Sequence, residues 1–161
     1  MNRLMRVLCG LLAAIGMYGC DYLAMKELKP GQSTGYDVRD RMGQPTFEWR
    51  NDDGSVTWEF ARTPEGKANY MVTVGPDNIL REIVQVLTDE NFAKVRKGMS
   101  RDEVRHLLGK PGNITRFDLK RQEVWEWKVQ NLFPNVDAYI HVHFDDSGRV
   151  VETSRREEQK G

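Results

Sequence analysis

The chain reads twice through one pattern, so it must build one supersecondary unit twice over. The first pass runs from about Glu27 to Leu87 and the second from about Glu90 to Thr153. Gly31-Gln32-Ser33 answers Gly98-Met99-Ser100, and the segment from Val38 to Pro45 answers that from Val104 to Pro111. Trp58-Glu59-Phe60 answers Trp125-Glu126-Trp127, and Tyr70, Val72 and Val74 answer Ile140, Val142 and Phe144. The offset drifts over roughly 66 to 70 residues, as it does when insertions fall in loops. The blocks keep the same order, which chance similarity does not produce.

Each block has a physical reading. Ser100 with Glu103 is a capping box, in which the hydroxyl takes a free helix amide and the carboxylate reaches back. The helix it opens runs from Arg101 to about Leu108 with Val104, Leu107 and Leu108 on one face; Gly109 ends it and Pro111 prevents its return. Thr34 with Asp37 is a weaker version of the same start, and Gly43-Gln44-Pro45 is its stop. A further short helix is expected from about Glu90 to Val95 with Phe92 and Val95 inward, and a less defined one around Leu23 to Leu28. Strands follow each capped helix. Val124 to Val129 puts Trp125, Trp127 and Val129 on one face, and Val56 to Phe60 puts Trp58 and Phe60 together. Asp53-Gly54, Asp77-Asn78 and Asp145 to Gly148 turn hairpins. The fold class is therefore α+β: two tandem modules, each with one or two short helices before a three- to four-stranded antiparallel sheet.

The front of the chain has another character. Met1 to Gly19 reads as an export signal, with Arg3 and Arg6 ahead of an apolar run from Val7 to Tyr18. That run is too short for a bilayer core, which takes roughly 20 residues. A cysteine directly after the cut marks a bacterial lipoprotein, so Cys20 is expected to carry diacylglycerol and further acyl chains, palmitate among them, and to tether the mature protein. Cys9 leaves with the signal, so no disulfide is expected and the cores alone must hold the fold. Lys plus Arg and Asp plus Glu each number 24, and losing two arginines with the signal leaves a slight acidic excess. That balance gives no reason to expect nucleic acid.

Candidate site residues are few. Trp58, Trp125 and Trp127 fall on inward faces in matching positions and read as core, whereas Trp49 has no counterpart and is a candidate for partner contact. The loop from Gln130 to Asp137 carries Leu132 and Phe133 among turn residues; they either tuck against the core, the plainer reading, or meet a partner. Its counterpart from Arg62 to Asn69 is polar, so the modules are not functionally equal. His141 and His143 leave one strand face together, outward, with no third metal ligand evident but the turn acids Asp145 and Asp146; His106 reads as surface. Ser33 and Ser100 read as caps, there is no phosphate loop, and no enzymatic role, metal or cofactor is expected. Arg155 to Lys160 reads as a solvated, frayed tail.

The second repeat resembles the BamE (SmpA/OmlA) family of outer-membrane lipoproteins. The resemblance rests on the run from Phe92 through Gly98-Met99-Ser100, Glu103-Val104, Leu107-Leu108-Gly109 and Pro111, on Trp125-Glu126-Trp127, and on the hairpin from Phe144 to Val150. The first repeat looks like a diverged copy, and the doubled module is similar in layout to the secreted β-lactamase inhibitor protein. The Tyr-Arg-Pro-Asp-like segment of single-module members is not found after Cys20, where the chain reads Asp21 to Lys26. The resemblance implies a lipid-anchored, periplasm-facing accessory protein of outer-membrane β-barrel assembly. It would work by contact with the β-barrel assembly machinery or other envelope lipoproteins, at the outer membrane or, given Asp21, retained at the inner one. The alternative is an envelope binding module or inhibitor that grips a periplasmic enzyme with the tandem sheets as a concave surface. The expected boundaries are a signal peptide at 1–19, a lipidated tether at 20–28, repeats at 29–88 and 89–154, and a charged tail at 155–161.

Overall fold

Each repeat folds into a short capped helix laid across one face of a four-stranded antiparallel meander. The structure is a computed structural model and describes residues 25–160; the signal sequence, Cys20 and Asp21 lie outside the described residues. In the first unit α1 (Gly35–Met42) precedes β1 (Phe47–Arg50), β2 (Val56–Ala61), β3 (Asn69–Val74) and β4 (Leu80–Gln85), paired in that order. A one-turn helix, α2 (Asp89–Phe92), opens the second unit. Then come α3 (Arg101–Leu108), β5 (Asn113–Phe117), a 3-10 turn, β6 (Gln122–Val129), β7 (Val136–Asp145) and β8 (Val150–Gln159), again paired in order.

The repeat extends to local geometry. Thr34 caps α1 and Ser100 caps α3, each with a complete capping box, so the Thr34–Asp37 start is as fully formed as its partner. Thr34 also bridges to Ile79, and Ser100 bridges to Arg149, tying each helix start to the last hairpin of its own sheet. Both sheets shift register at the same place, between Thr73 and Val74 and between His143 and Phe144. Gly43 and Gly109 end the helices at φ 83° and 76° with ψ near ±180°. Essentially only glycine adopts that combination, and it turns the chain straight from helix into strand.

Alternation sorts each sheet into two faces. The inner face of the first carries Trp58, Phe60, Val72 and Val74 against Val38 and Met42 of α1, with Leu28 and Leu80 closing the cluster. The inner face of the second carries Trp125, Trp127, Ile140, Val142 and Phe144 against Val104 and Leu108, with Leu87 and Val95 beside them. The three inward tryptophans are thus core, all less than a tenth exposed.

Three expectations need correction. The residues 155–160 are not a frayed tail. β8 runs to Gln159 and pairs with β7 as far as Val136↔Gln159, and the Lys160 amide donates to the Asn135 carbonyl. Its charged side chains are exposed because β8 is a sheet edge, which a hydropathy pattern does not distinguish from a loose end. Ser33 is not a cap: Thr34 holds that place, and the Ser33 hydroxyl accepts from the Lys29 amide. The helix expected from Glu90 to Val95 closes earlier, at Phe92, though Val95 still reaches the core.

Candidate partner-binding surfaces

The outer face of the first sheet is not a free surface. Cross-strand pairing places Phe47, Glu59 and Met71 in one row and Trp49, Thr57 and Thr73 in the next. The C-terminal end of α3, from the other unit, docks there. Glu59 has no exposed surface, and its carboxylate accepts from Arg105 Nε at 2.9 Å and from the Lys110 amide at 2.8 Å. Asn69, also fully buried, donates through Nδ2 to the carbonyls of Leu108 at 2.8 Å and Lys110 at 3.1 Å. The Thr63 hydroxyl adds a bond to the Lys110 carbonyl at 2.9 Å. A helix end leaves its last carbonyls and the amide beyond without internal partners, and the sheet supplies them. A β-carbon on Gly109 would come within 2.7 Å of Asn69, so close contact here requires glycine. The Arg105 guanidinium lies 4.6 Å from the centroid of the Phe47 ring, and Trp49 meets His106 edge-on at 5.1 Å.

Trp49, read from sequence as a partner contact, therefore stands at the junction between the units. The polar loop 62–69 stands there too, and neither Glu59 nor Asn69 stood out in the sequence. Glu59 carried one signal, a glutamate between aromatic residues on a strand, which Glu126 shares; Asn69 carried none.

The outer face of the second sheet receives no helix from the described residues. Its rows are Asn113, Glu126, His141 and Ser154, then Thr115, Val124, His143 and Glu152. Glu126 Oε2 lies 2.8 Å from His141 Nε2 and 3.1 Å from Arg156 Nη2, and His143 Nε2 lies 3.2 Å from the Ser154 hydroxyl. Burial, the largest influence, holds the His143 imidazole below the ordinary histidine range. Lys128 donates to Asp137 at 2.6 Å, and Lys67 and Lys160 approach the same carboxylate at 3.5 and 3.6 Å. The Lys128 hydrogen bond is the main reason that the Asp137 carboxyl is held below its usual value. A recess lined by Pro64, Gly112, Asn113, Glu126, Lys128 and Tyr139 opens where the first unit overhangs this face. The two histidines do share the face, but among the described residues no group of three or more His, Cys, Asp or Glu is arranged to hold a metal ion.

The loop between β6 and β7 projects. Leu132 is 95 % exposed and Phe133 63 %, so they do not tuck against the core. At the other end of the sheet Ile114, Phe117 and Leu119 are exposed as well, on the β5 edge and the turn after it. Apolar side chains standing in water on a projecting loop are what a protein contact uses.

A family model described as the outer membrane protein assembly factor BamE domain matches residues 85–154, which hold α2, α3, the second sheet and the first half of β8. The second unit is a BamE domain. The match takes in Phe92, the Ser100–Glu103 capping box, Gly109, the Trp125 to Trp127 strand and the last hairpin, where the sequence resemblance lay. No curated protein matches the chain. Among solved structures, the chain is similar to a candidate beta-lactamase inhibitor protein from Streptococcus mutans, at 13% identity and a TM-score of 0.36, covering 86% of this chain and 97% of that one. It is also similar to a DUF4309 family protein (YjgB) from Bacillus subtilis subsp. subtilis str. 168, at 13% identity and a TM-score of 0.30, covering 88% of this chain and 93% of that one. Among the described residues no helix is long and apolar enough to cross a membrane.

Proposed function

We propose that this chain is a lipid-anchored, periplasm-facing accessory protein of outer-membrane β-barrel assembly. It acts by protein–protein contact and not by chemistry. The observation that carries the proposal is the BamE domain at residues 85–154, whose family is described as an outer membrane protein assembly factor. Two features support it. The leader at 1–19, directly followed by Cys20, has the layout of a lipoprotein signal, and lipid on Cys20 would hold the globular units at a membrane without a spanning helix. Leu132 and Phe133, on the loop between β6 and β7, give the BamE domain a solvated apolar contact that its own core does not use. The partners are proteins of the β-barrel assembly machinery or neighbouring envelope lipoproteins, at the outer membrane.

The test is mild detergent extraction of the tagged, lipidated chain followed by mass spectrometry of what accompanies it. β-Barrel assembly proteins are expected, and Cys20→Ala should release the chain from the membrane fraction. Recovery of a single soluble periplasmic enzyme instead would replace this reading with that of an inhibitor built on the same fold.

A further inference from the structure

The opening segments of the two units match residue by residue as far back as Met25. Gly31 and Gly98 both take positive φ, and their amides donate to the carbonyls of Leu80 and Val150, each at 2.8 Å. Leu28 and Val95 are both buried, and their amides donate to the carbonyls of Met25 and Phe92 at 3.2 and 3.1 Å. Met25 and Phe92 are both partly buried against the core of their own unit. One constant step along the chain separates the members of all three pairs.

The cores match as well, with one gap. Tyr70 pairs with Phe60 as Ile140 pairs with Trp127, so Tyr70 answers Ile140. In the second unit Leu87, 4 % exposed, joins Phe92, Val95 and Ile140 in the core. Among the described residues nothing in the first core answers Leu87. Instead a recess of about 390 Å³ opens beside Met25, Leu28 and Tyr70, the counterparts of those three companions of Leu87. Pro30 and Ile83 complete its apolar wall, and Lys26 and Gln85 are its polar members. Carried back by the same step, Leu87 falls on Cys20, and Thr88, which caps α2, falls on Asp21, a residue type equally suited to capping. We infer that the recess holds the root of the Cys20 lipid, the thioether and its first glyceryl carbons, in the place that Leu87 fills in the second unit.

Reach and chemistry agree. Cys20 stands five residues before Met25, which is about 8 Å of helix or about 17 Å of extended chain, and Met25 itself lines the recess. A thioether with its glyceryl carbons is an apolar body no smaller than a leucine side chain, and its burial stabilises by the same transfer from water. The acyl chains then leave the mouth of the recess for the bilayer. Lipid held at its root gives the anchor no slack, so the first unit stands on the membrane with this recess toward it. The inference rests on the anchor proposed above and adds where that anchor meets the protein.

Two measurements test it. In cells fed a fatty acid bearing a diazirine close to its carboxyl end, the membrane-extracted chain is irradiated and digested, and mass spectrometry reads both the lipid on the N-terminal peptide and the sites of crosslinking. Lipid on Cys20 is expected, with adducts on the peptides that hold Tyr70 and Ile83 to Gln85 of the same chain. The second measurement compares unlipidated mature chains that differ only at position 20. Cys20→Leu is expected to melt at least about 3 °C above Cys20→Ser, because leucine fills the place that Leu87 fills in the other unit, whereas on a free tether the two would melt alike. Lipid absent from Cys20 overturns the anchor reading and this inference together. Lipid present with no adduct on those peptides, or equal melting of the two variants, overturns this inference alone.

Discussion

At Glu59 a carboxylate without exposed surface receives an arginine and a main-chain amide from another unit of the chain. Removing one partner of a buried pair costs roughly 3–5 kcal/mol. Arg105 keeps a quarter of its side-chain surface in water and would be partly resolvated, so Glu59→Ala is expected to destabilise the chain by about 3 kcal/mol in urea unfolding. Substitution of Glu48, in an exposed pair, should change stability by less than about 1 kcal/mol. His143 sets a pH dependence. Burial lowers its folded pKa beneath the ordinary value of 6.5, so the unfolded chain takes up the proton first. Stability from this group is full above 6.5, falls as pH drops through 6.5, and levels off below the folded value; His143→Gln should remove that slope from melts recorded between pH 7.5 and 5. The carboxylates of Asp37 and Asp137, both held low, add their own loss at more acidic pH. Residues acting within one turn of chain, such as Thr34, Ser100 and Gly109, were legible in the sequence. Glu59 and Asn69 were not, because their partners lie more than about 35 residues away and only the docked fold brings them together.

At the scale of elements, the capped helices and hairpin turns followed the sequence, because caps, stops and turns are local chemistry. β8 did not. Arg155, Arg156, Glu157 and Glu158 have no apolar alternation, yet β7 offers a ten-residue template with Ala138, Ile140, Val142 and Phe144 already placed by the core. Main-chain pairing to that template outweighs the polar sequence, helped by Arg156 against Glu126 and Arg155 against Asp89. Hydrogen exchange is the direct check. The amides of residues 155–158 that face β7 should be protected at least tenfold over a free chain, whereas a loose tail would exchange at the free rate.

For the whole molecule, the two units share a plan but not a role. The first lends the outer face of its sheet to α3 and, with the loop 62–69, fixes the orientation of the BamE domain. The BamE domain leaves its own outer face without a docked helix, half-buried and partly overhung by the first unit, and its loop between β6 and β7 projecting. The α+β class and the twofold repeat were legible because the repeat is written into spacing and aromatic positions. Which sheet face would be covered was not, since both faces carry similar glutamates, and only the docked helix distinguishes Glu59 from Glu126. In the proposed role the BamE domain meets the β-barrel assembly machinery through Leu132 and Phe133. The measurement that tests it most directly is photo-crosslinking in intact cells from a benzoylphenylalanine placed at Phe133, with the products identified by mass spectrometry. Adducts with β-barrel assembly proteins are expected from position 133, and none from the same probe placed at the exposed Asp52 on the first unit. Adducts absent from position 133, or equal from both positions, would contradict it.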